Sequence, residues 1–241
     1  MTEPQPSAVQ KRPQINHALF LFDKKTAWMQ RLADLSRYGY SFYIQGQISR
    51  EKAYFMAEKF ALFYGTGLGR MEQSRLRKQG QATFRFLAWH DEKNDVVHWV
   101  LLRTDGSTPE QAARENWRSL VDDRLVVVGG YELVRVTKVG TKKPVWTWRY
   151  TKAHYAALRE SLIGDIRGHR DLLTKQLIHE IWRTPGFSAA REQVKQLKTL
   201  ILAEWKRSRG TDPLPEIPAR LGYVRKLADK GTVMKKTKVK K

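Results

Sequence analysis

Cysteine is absent from the 241-residue chain, which excludes a disulfide framework and any thiolate-bound metal. No apolar run reaches the ~18 residues that a membrane-spanning helix requires. The opening stretch, MTEPQPSAVQKRPQ, is polar and lacks the apolar segment of an export signal. Acidic residues are scarce: 24 Asp and Glu face 45 Lys and Arg, a formal net charge of +21. Apolar residues are plentiful, at 41% hydrophobic and 11% aromatic, enough to exclude a wholly disordered chain. These features predict a soluble, cytoplasmic, globular protein with a polyanionic partner, because self-repulsion of this size is relieved when phosphates neutralise it.

The charge is not confined to a tail. Residues 151–241 hold 21 Lys and Arg against 9 Asp and Glu, and residues 1–150 hold 24 against 15. The terminal run Lys235–Lys241 is a simple cationic extension with no geometry for reading a base. The body keeps a strong positive surplus without it.

Residues 1–16, with Pro4, Pro6 and Pro13, read as a flexible leader. Leu19 and Phe22 suggest a short element, followed by a helix from about Thr26 that carries Trp28, Leu32 and Leu35. Tyr40–Ser49 alternates, with Phe42, Ile44 and Ile48 on one face and Tyr43, Gln45 and Gln47 on the other, the period of a half-buried strand. Ser49 then opens a helix over Arg50–Tyr64, whose Ala53, Met56, Ala57, Phe60 and Ala61 form one apolar stripe. Gly65, Gly67 and Gly69 stop it, and a basic segment with Arg70, Arg75, Arg77 and Lys78 follows. Thr83–Asp91 and Val96–Thr104 form a hairpin. Ser107 or Thr108 with Pro109 and Glu110 starts a second helix carrying Ala113, Trp117 and Leu120. Arg124–Thr137 is a long strand with a bulge expected at Gly129-Gly130, and Val145–Tyr150 adds one more.

Residues 40–137 therefore read β-α-β-β-α-β, the split-βαβ order of ferredoxin-like, RNA-recognition-like domains. Three helices follow, over residues 151–166, 169–183 and 188–209. The expected class is α+β: a ferredoxin-like core over residues 17–150, a basic helical appendage over 151–211, and a Pro-punctuated segment with the Lys-rich tail over 212–241.

Several chemistries have no support. The glycine loop follows a helix rather than a strand and has no Lys-Ser pair, so it fits neither nucleotide-binding fingerprint. No His-x-His, HExxH or Gly-x-Ser-x-Gly occurs, and setting Trp89 opposite His98 puts His90 and His98 on opposite sheet faces. Neither a metal nor a cofactor is expected. Arginine and aromatic residues are instead interleaved, a pattern suited to gripping phosphates and stacking bases. The candidate nucleic-acid-binding residues are Tyr43, Arg70, Arg75, Arg77, Lys78, Lys142, Lys143, Trp148 and Arg149 in the core. In the appendage they are Arg167, His169, Arg170, Arg191, Lys195 and Lys198. Arg167 to Arg170 adjoin a helix start, where free backbone N–H groups attract phosphate.

A basic, cysteine-free core of this order with an arginine-rich helical extension resembles the CRISPR RNA-processing endoribonucleases, particularly those of plasmid-borne type IV systems with their helical finger. The likeness spans about residues 20–210 and rests on element order and charge. It implies a metal-independent cut of repeat or hairpin RNA, in which the 2′-hydroxyl attacks the adjacent phosphate. It also implies retention on the mature guide and other subunits of a ribonucleoprotein complex as partners. Such chemistry needs a cation at the phosphorane and a proton carrier; Arg37 and Arg50, at the two ends of the first strand, are the candidates for charge, with Tyr38 or His17 for the proton. The competing reading is a non-catalytic nucleic-acid-binding protein of a plasmid or other mobile element, such as a replication, maintenance or transfer factor.

Either reading makes the tail a minor contributor. Deleting Lys235–Lys241 is expected to weaken RNA binding modestly and to leave discrimination between cognate and scrambled hairpins intact. Loss of discrimination in a competition assay would place the site in the tail.

Overall fold

A computed structural model describes residues 18–137, 140 and 143–235; the leader 1–16, His17, Lys142 and the tail beyond Lys235 lie outside the described residues. Strand β1 (Leu19–Phe22), helix α1 (Lys25–Arg37), β2 (Tyr40–Ser49), α2 (Arg50–Tyr64), α3 (Arg70–Lys78), β3 (Phe84–Asp91) and β4 (Val96–Thr104) open the chain. Short strands β5 (Arg118–Ser119) and β6 (Val126–Val127) precede β7 (Tyr131–Thr137) and β8 (Pro144–Tyr150). Helices α4 (Lys152–Arg167), α5 (Asp171–Trp182) and α6 (Ser188–Arg209) follow, and β9 (Gly231–Met234) closes the described chain. The fold is mixed α+β, with a six-stranded sheet in the order β5-β2-β4-β3-β1-β9 and a three-stranded sheet in the order β6-β7-β8. Within the large sheet β1 runs parallel to β3, and the remaining pairs are antiparallel.

Period and end signals place β2, α2, the β3–β4 hairpin and α6 where the sequence predicts them. Gly65 ends α2 in the left-handed conformation, φ +64°, which costs a glycine nothing. Trp89 lies in register with His98, and their rings stack 5.1 Å apart. The region after β4 departs from expectation. Its second helix is a single 3₁₀ turn over Glu110–Arg114, and residues 118–119, read as part of that helix, form β5. Residues 124–137 do not add a long bulged strand to the large sheet. Gly129 and Gly130, at φ +83° and +70°, reverse the chain so that Val127 pairs back onto Tyr131, and this hairpin begins the second sheet. The basic segment after the glycine loop is itself a helix, α3.

A ferredoxin-like sheet offers RNA one uncovered face; here both faces are covered. Helix α2 packs Phe60 and Tyr64 on Phe84 and Leu101, and Ala53 on Ala88 and Val97. Helix α1 lies on the opposite face, with Trp28, Met29 and Leu32 against Tyr43, Trp89, Val100 and Leu102. Its buried residues, Ala27, Trp28, Met29, Leu32 and Ser36, span about 200° of the helix at about 100° per residue, far wider than one contact stripe. The second sheet takes the other part of that arc: the Trp148 indole N–H donates to the Met29 carbonyl at 2.8 Å. Two expected base-stacking residues are thereby corrected. Trp148 is 0% exposed and Tyr43 1% exposed, with the Tyr43 hydroxyl donating to the Arg124 carbonyl. Both rings are core, and neither meets a base from solvent.

The Pro-punctuated segment is a strap rather than a loose end. Val224 N–H donates to the Gly186 carbonyl, the Arg31 guanidinium donates to the Leu227 carbonyl and to Asp229, and Gln30 accepts from Leu227 N–H. The strap crosses α1 and ends as β9, antiparallel to β1 along its whole length.

Replacing Trp148 tests whether this joint holds the layers together. Trp148→Ala leaves a cavity and is expected to cost about 3–5 kcal/mol, and Trp148→Phe about 0.5–1.5 kcal/mol for the lost hydrogen bond, since the Met29 carbonyl keeps its helical partner, plus a smaller cavity cost. Denaturant midpoints within error of wild type would contradict the assignment.

Candidate nucleic-acid interface

The edge of the second sheet and the start of α6 enclose a groove of about 610 Å³, lined by Val136, Thr137, Arg149, Arg191, Gln193 and Lys195 among others. Alternation along β8 sets its chemistry. Trp146, Trp148 and Tyr150 lie opposite Arg135, Leu133 and Tyr131 on β7, whereas Arg149 lies opposite Glu132. On α6, Val194, Leu197, Ile201 and Trp205 turn into the core, which leaves Arg191 and Lys195 beside the sheet edge. The Gln193 side chain fixes the junction by accepting from Tyr150 N–H and donating to the Tyr150 carbonyl. A second recess of about 340 Å³ shares Val136 and Arg149 with the groove and adds Arg124, Arg135 and the half-buried Trp146.

Arg149, Arg191 and Lys195 therefore line the groove, and Arg124 stands beside Arg149 at the adjoining recess, whereas Arg135 alternates with Trp146 to the other face of the sheet. Glu132, buried, accepts from Arg124 at 3.1 Å and from Arg149 at 2.7 Å, so one carboxylate positions two guanidiniums and leaves a local positive surplus. Lys195 pairs with Glu192 at 3.3 Å. Arg191 lies over the Tyr223 ring of the strap at 5.2 Å, and its buried Nε has no hydrogen-bond partner among the described residues. A buried guanidinium donor without an acceptor fits a site whose ligand brings the acceptor.

Of the residues singled out from sequence, Arg149, Arg191 and Lys195 come together here. Lys198 is exposed one turn further along α6, and Lys143 is exposed just before β8. Arg70, Arg75, Arg77 and Lys78 lie elsewhere, on α3, which caps the end of the large sheet where β2 and β3 begin. There Gln73 accepts from the Tyr40 hydroxyl and Arg77 donates to Thr83 Oγ1. Arg37 and Arg50 are not brought together. They flank the ten residues of β2, about 33 Å at ~3.3 Å per residue, with no fold-back before Tyr40. Arg37 pairs with Asp34 at 4.0 Å and lies over Tyr38, which is exposed. The expected shared approach to one phosphate is absent.

In the basic turn of the appendage Arg167 donates to buried Glu204 at 2.5 Å and Arg170 to Asp165 at 2.8 Å, and both guanidiniums stay about half exposed, away from the groove. His169 holds the turn in the left-handed region, φ +54°. The Arg167 and Arg207 guanidiniums beside Glu204 lower its carboxyl from an ordinary 4.5 to about 2.

Sequence reasoning missed Arg124, Glu132 and Tyr223. Reading residues 138–144 as the turn of a β7–β8 hairpin sets Glu132 opposite Arg149; nothing local signals that Tyr223 meets Arg191. Among the described residues no group of His, Cys, Asp or Glu is arranged to hold a metal ion. No family model, curated protein or solved structure matches the chain.

The Glu204 pairs make a signed pH prediction. A carboxyl lowered on folding contributes stability above its unfolded value, near 4.5, and that contribution is lost as pH falls through about 2. Glu204→Gln should lower the denaturant midpoint at neutral pH, and its gap to wild type should close across that window. A gap independent of pH would show that the pairs contribute nothing through charge.

Proposed function

We propose that the protein binds RNA, gripping phosphates in the groove between β8 and α6. The observation that carries this reading is the convergence of Arg149, Arg191 and Lys195 on one groove, with Arg124 joined to Arg149 through Glu132 at the adjoining recess. Guanidinium forks match phosphate geometry. The choice of RNA over DNA rests on likeness of fold alone, through the strand order β5-β2-β4-β3, in which β2 and β3 both run antiparallel to the intervening β4. That order fits a ferredoxin-like core whose second helix is reduced to a 3₁₀ turn and whose last strand is reduced to β5.

Binding without cutting has better support than the endoribonuclease reading. The cations assigned to the cleavage step stand at opposite ends of β2, and Arg50 opens α2 on the far side of the large sheet from α6. A ribonucleoprotein role remains compatible with binding alone, since retention on a hairpin needs only the groove.

Titration of labelled hairpin RNAs across ionic strength tests the proposal. Affinity should fall linearly with salt on a log-log plot, and Arg149→Ala, Arg191→Ala and Lys195→Ala should each reduce the slope by about one. Arg50→Ala should leave the slope unchanged, and the RNA should be recovered whole in EDTA. Groove variants that bind like wild type overturn the site; a discrete metal-independent cut overturns the choice of binder over enzyme.

A further inference from the structure

The strap carries an exposed aromatic ring on a backbone that is otherwise tied down. On either side of Tyr223, Leu221 and Val224 pack on the core, and the Val224 N–H donates to the Gly186 carbonyl at 3.1 Å. Glycine at 186 is what lets the two segments meet: a Cβ there would stand 2.3 Å from the Gly222 carbonyl oxygen and 2.6 Å from the Tyr223 Cα. The Tyr223 backbone is thereby fixed next to the turn from which α6 opens at Ser188. Its side chain takes no part in the core. The ring is 67% exposed, and the Arg191 guanidinium lies over it, 5.2 Å from the centroid. A ring this open gains little from burial, and the contact with Arg191 leaves most of its surface in water. Arg191 itself lines the groove, so the ring and the phosphate-gripping surface share a side chain. Other exposed rings stand elsewhere: Phe55 and Phe63 on α2, across the large sheet, and Tyr38 over Arg37.

We infer that Tyr223 stacks an unpaired base of the RNA while Arg191, on which the ring rests, holds a neighbouring phosphate. The inference rests on the RNA-binding reading and deepens it, because it adds a selective contact to a groove that grips only phosphate. Phosphates are common to stem and loop, so the groove cations alone tell neither from the other. A stacking ring does. In a duplex the base faces are hidden in the stack, whereas loops and single-stranded flanks present them to aromatic side chains. Every base has such a face, so the ring selects for being unpaired rather than for one base. Tethering of the strap through Val224 and Gly186 sets the ring in place beforehand, which keeps the ordering cost of binding low. A guanidinium on a ring face keeps N–H donors at its edge for an acceptor, so Arg191 serves ring and phosphate together.

Short single-stranded oligoribonucleotides, compared with an abasic chain of equal length and charge, separate stacking from phosphate gripping. Wild type should bind the base-bearing chain roughly 5- to 100-fold more tightly than the abasic one. Tyr223→Phe, which keeps the ring, should retain that preference. Tyr223→Leu, which removes the ring, should abolish most of it, with affinity for the abasic chain and the salt slope unchanged. Both are surface changes, and the thermal midpoint of each variant checks that the fold is intact. Equal affinities of wild type for the two chains, with a steep salt slope retained, overturn the stacking role while the groove stands. A preference that survives Tyr223→Leu places base recognition elsewhere and overturns it too. Equal weakening of both chains by Tyr223→Leu would make the ring a prop for Arg191 and nothing more, which also overturns it. No binding to either chain overturns the groove and, with it, the stacking role.

Discussion

Helix α1 is clasped between two sheets, and most of the molecule follows from that placement. Its Trp28, Met29 and Leu32 fill the face of the large sheet, the Trp148 indole reaches its backbone from the second sheet, and the strap hydrogen-bonds to Gln30 and Arg31. A helix with so wide an apolar arc cannot lie on a single sheet without leaving hydrophobic surface in water. The second sheet, the strap and β9 supply the missing cover. With both faces of the large sheet occupied, the groove to which we assign phosphate binding lies outward, at the far edge of the second sheet.

Charge is then sorted by what each cation meets. Arg31, Arg167, Arg170, Arg207 and Arg209 each pair with carboxylates and tie elements together. Beside Val136, Arg124 and Arg149 share a single buried carboxylate, as Arg167 and Arg207 share Glu204, and there Arg191 adds a guanidinium with no acidic partner in any ion pair among the described residues. The surplus of the chain is thus not a uniform coat. It lines a concavity where β8 meets α6, the surface that the proposed binding would use.

Local periodicity made much of this legible. The alternation of Tyr40–Ser49, the stripe of Ala53, Phe60 and Ala61, and the inward row Val194, Leu197, Ile201 and Trp205 are short-range patterns, and each element appears where its pattern lies. What stayed hidden depends on distant partners. A period of two shows that Tyr43 and Trp148 share a face with their neighbours but not that α1 covers that face. The basic run Arg167–Arg170 looks free until Glu204, thirty-seven positions away, folds against it. Strand β9 and the Tyr223–Arg191 contact join segments with no local signal, and Gly129-Gly130, read as a bulge, is a reversal. Of the candidate site, Arg149, Arg191 and Lys195 were visible as residues, but their convergence was a property of the fold.

The placement of the groove is tested most directly by ultraviolet crosslinking of bound hairpin RNA, with the modified peptides located by mass spectrometry. Crosslinks should fall on Val134–Arg149 and on the first turns of α6, around Arg191 and Lys195. Crosslinks confined to α2 and α3, between Arg50 and Lys78, would contradict it.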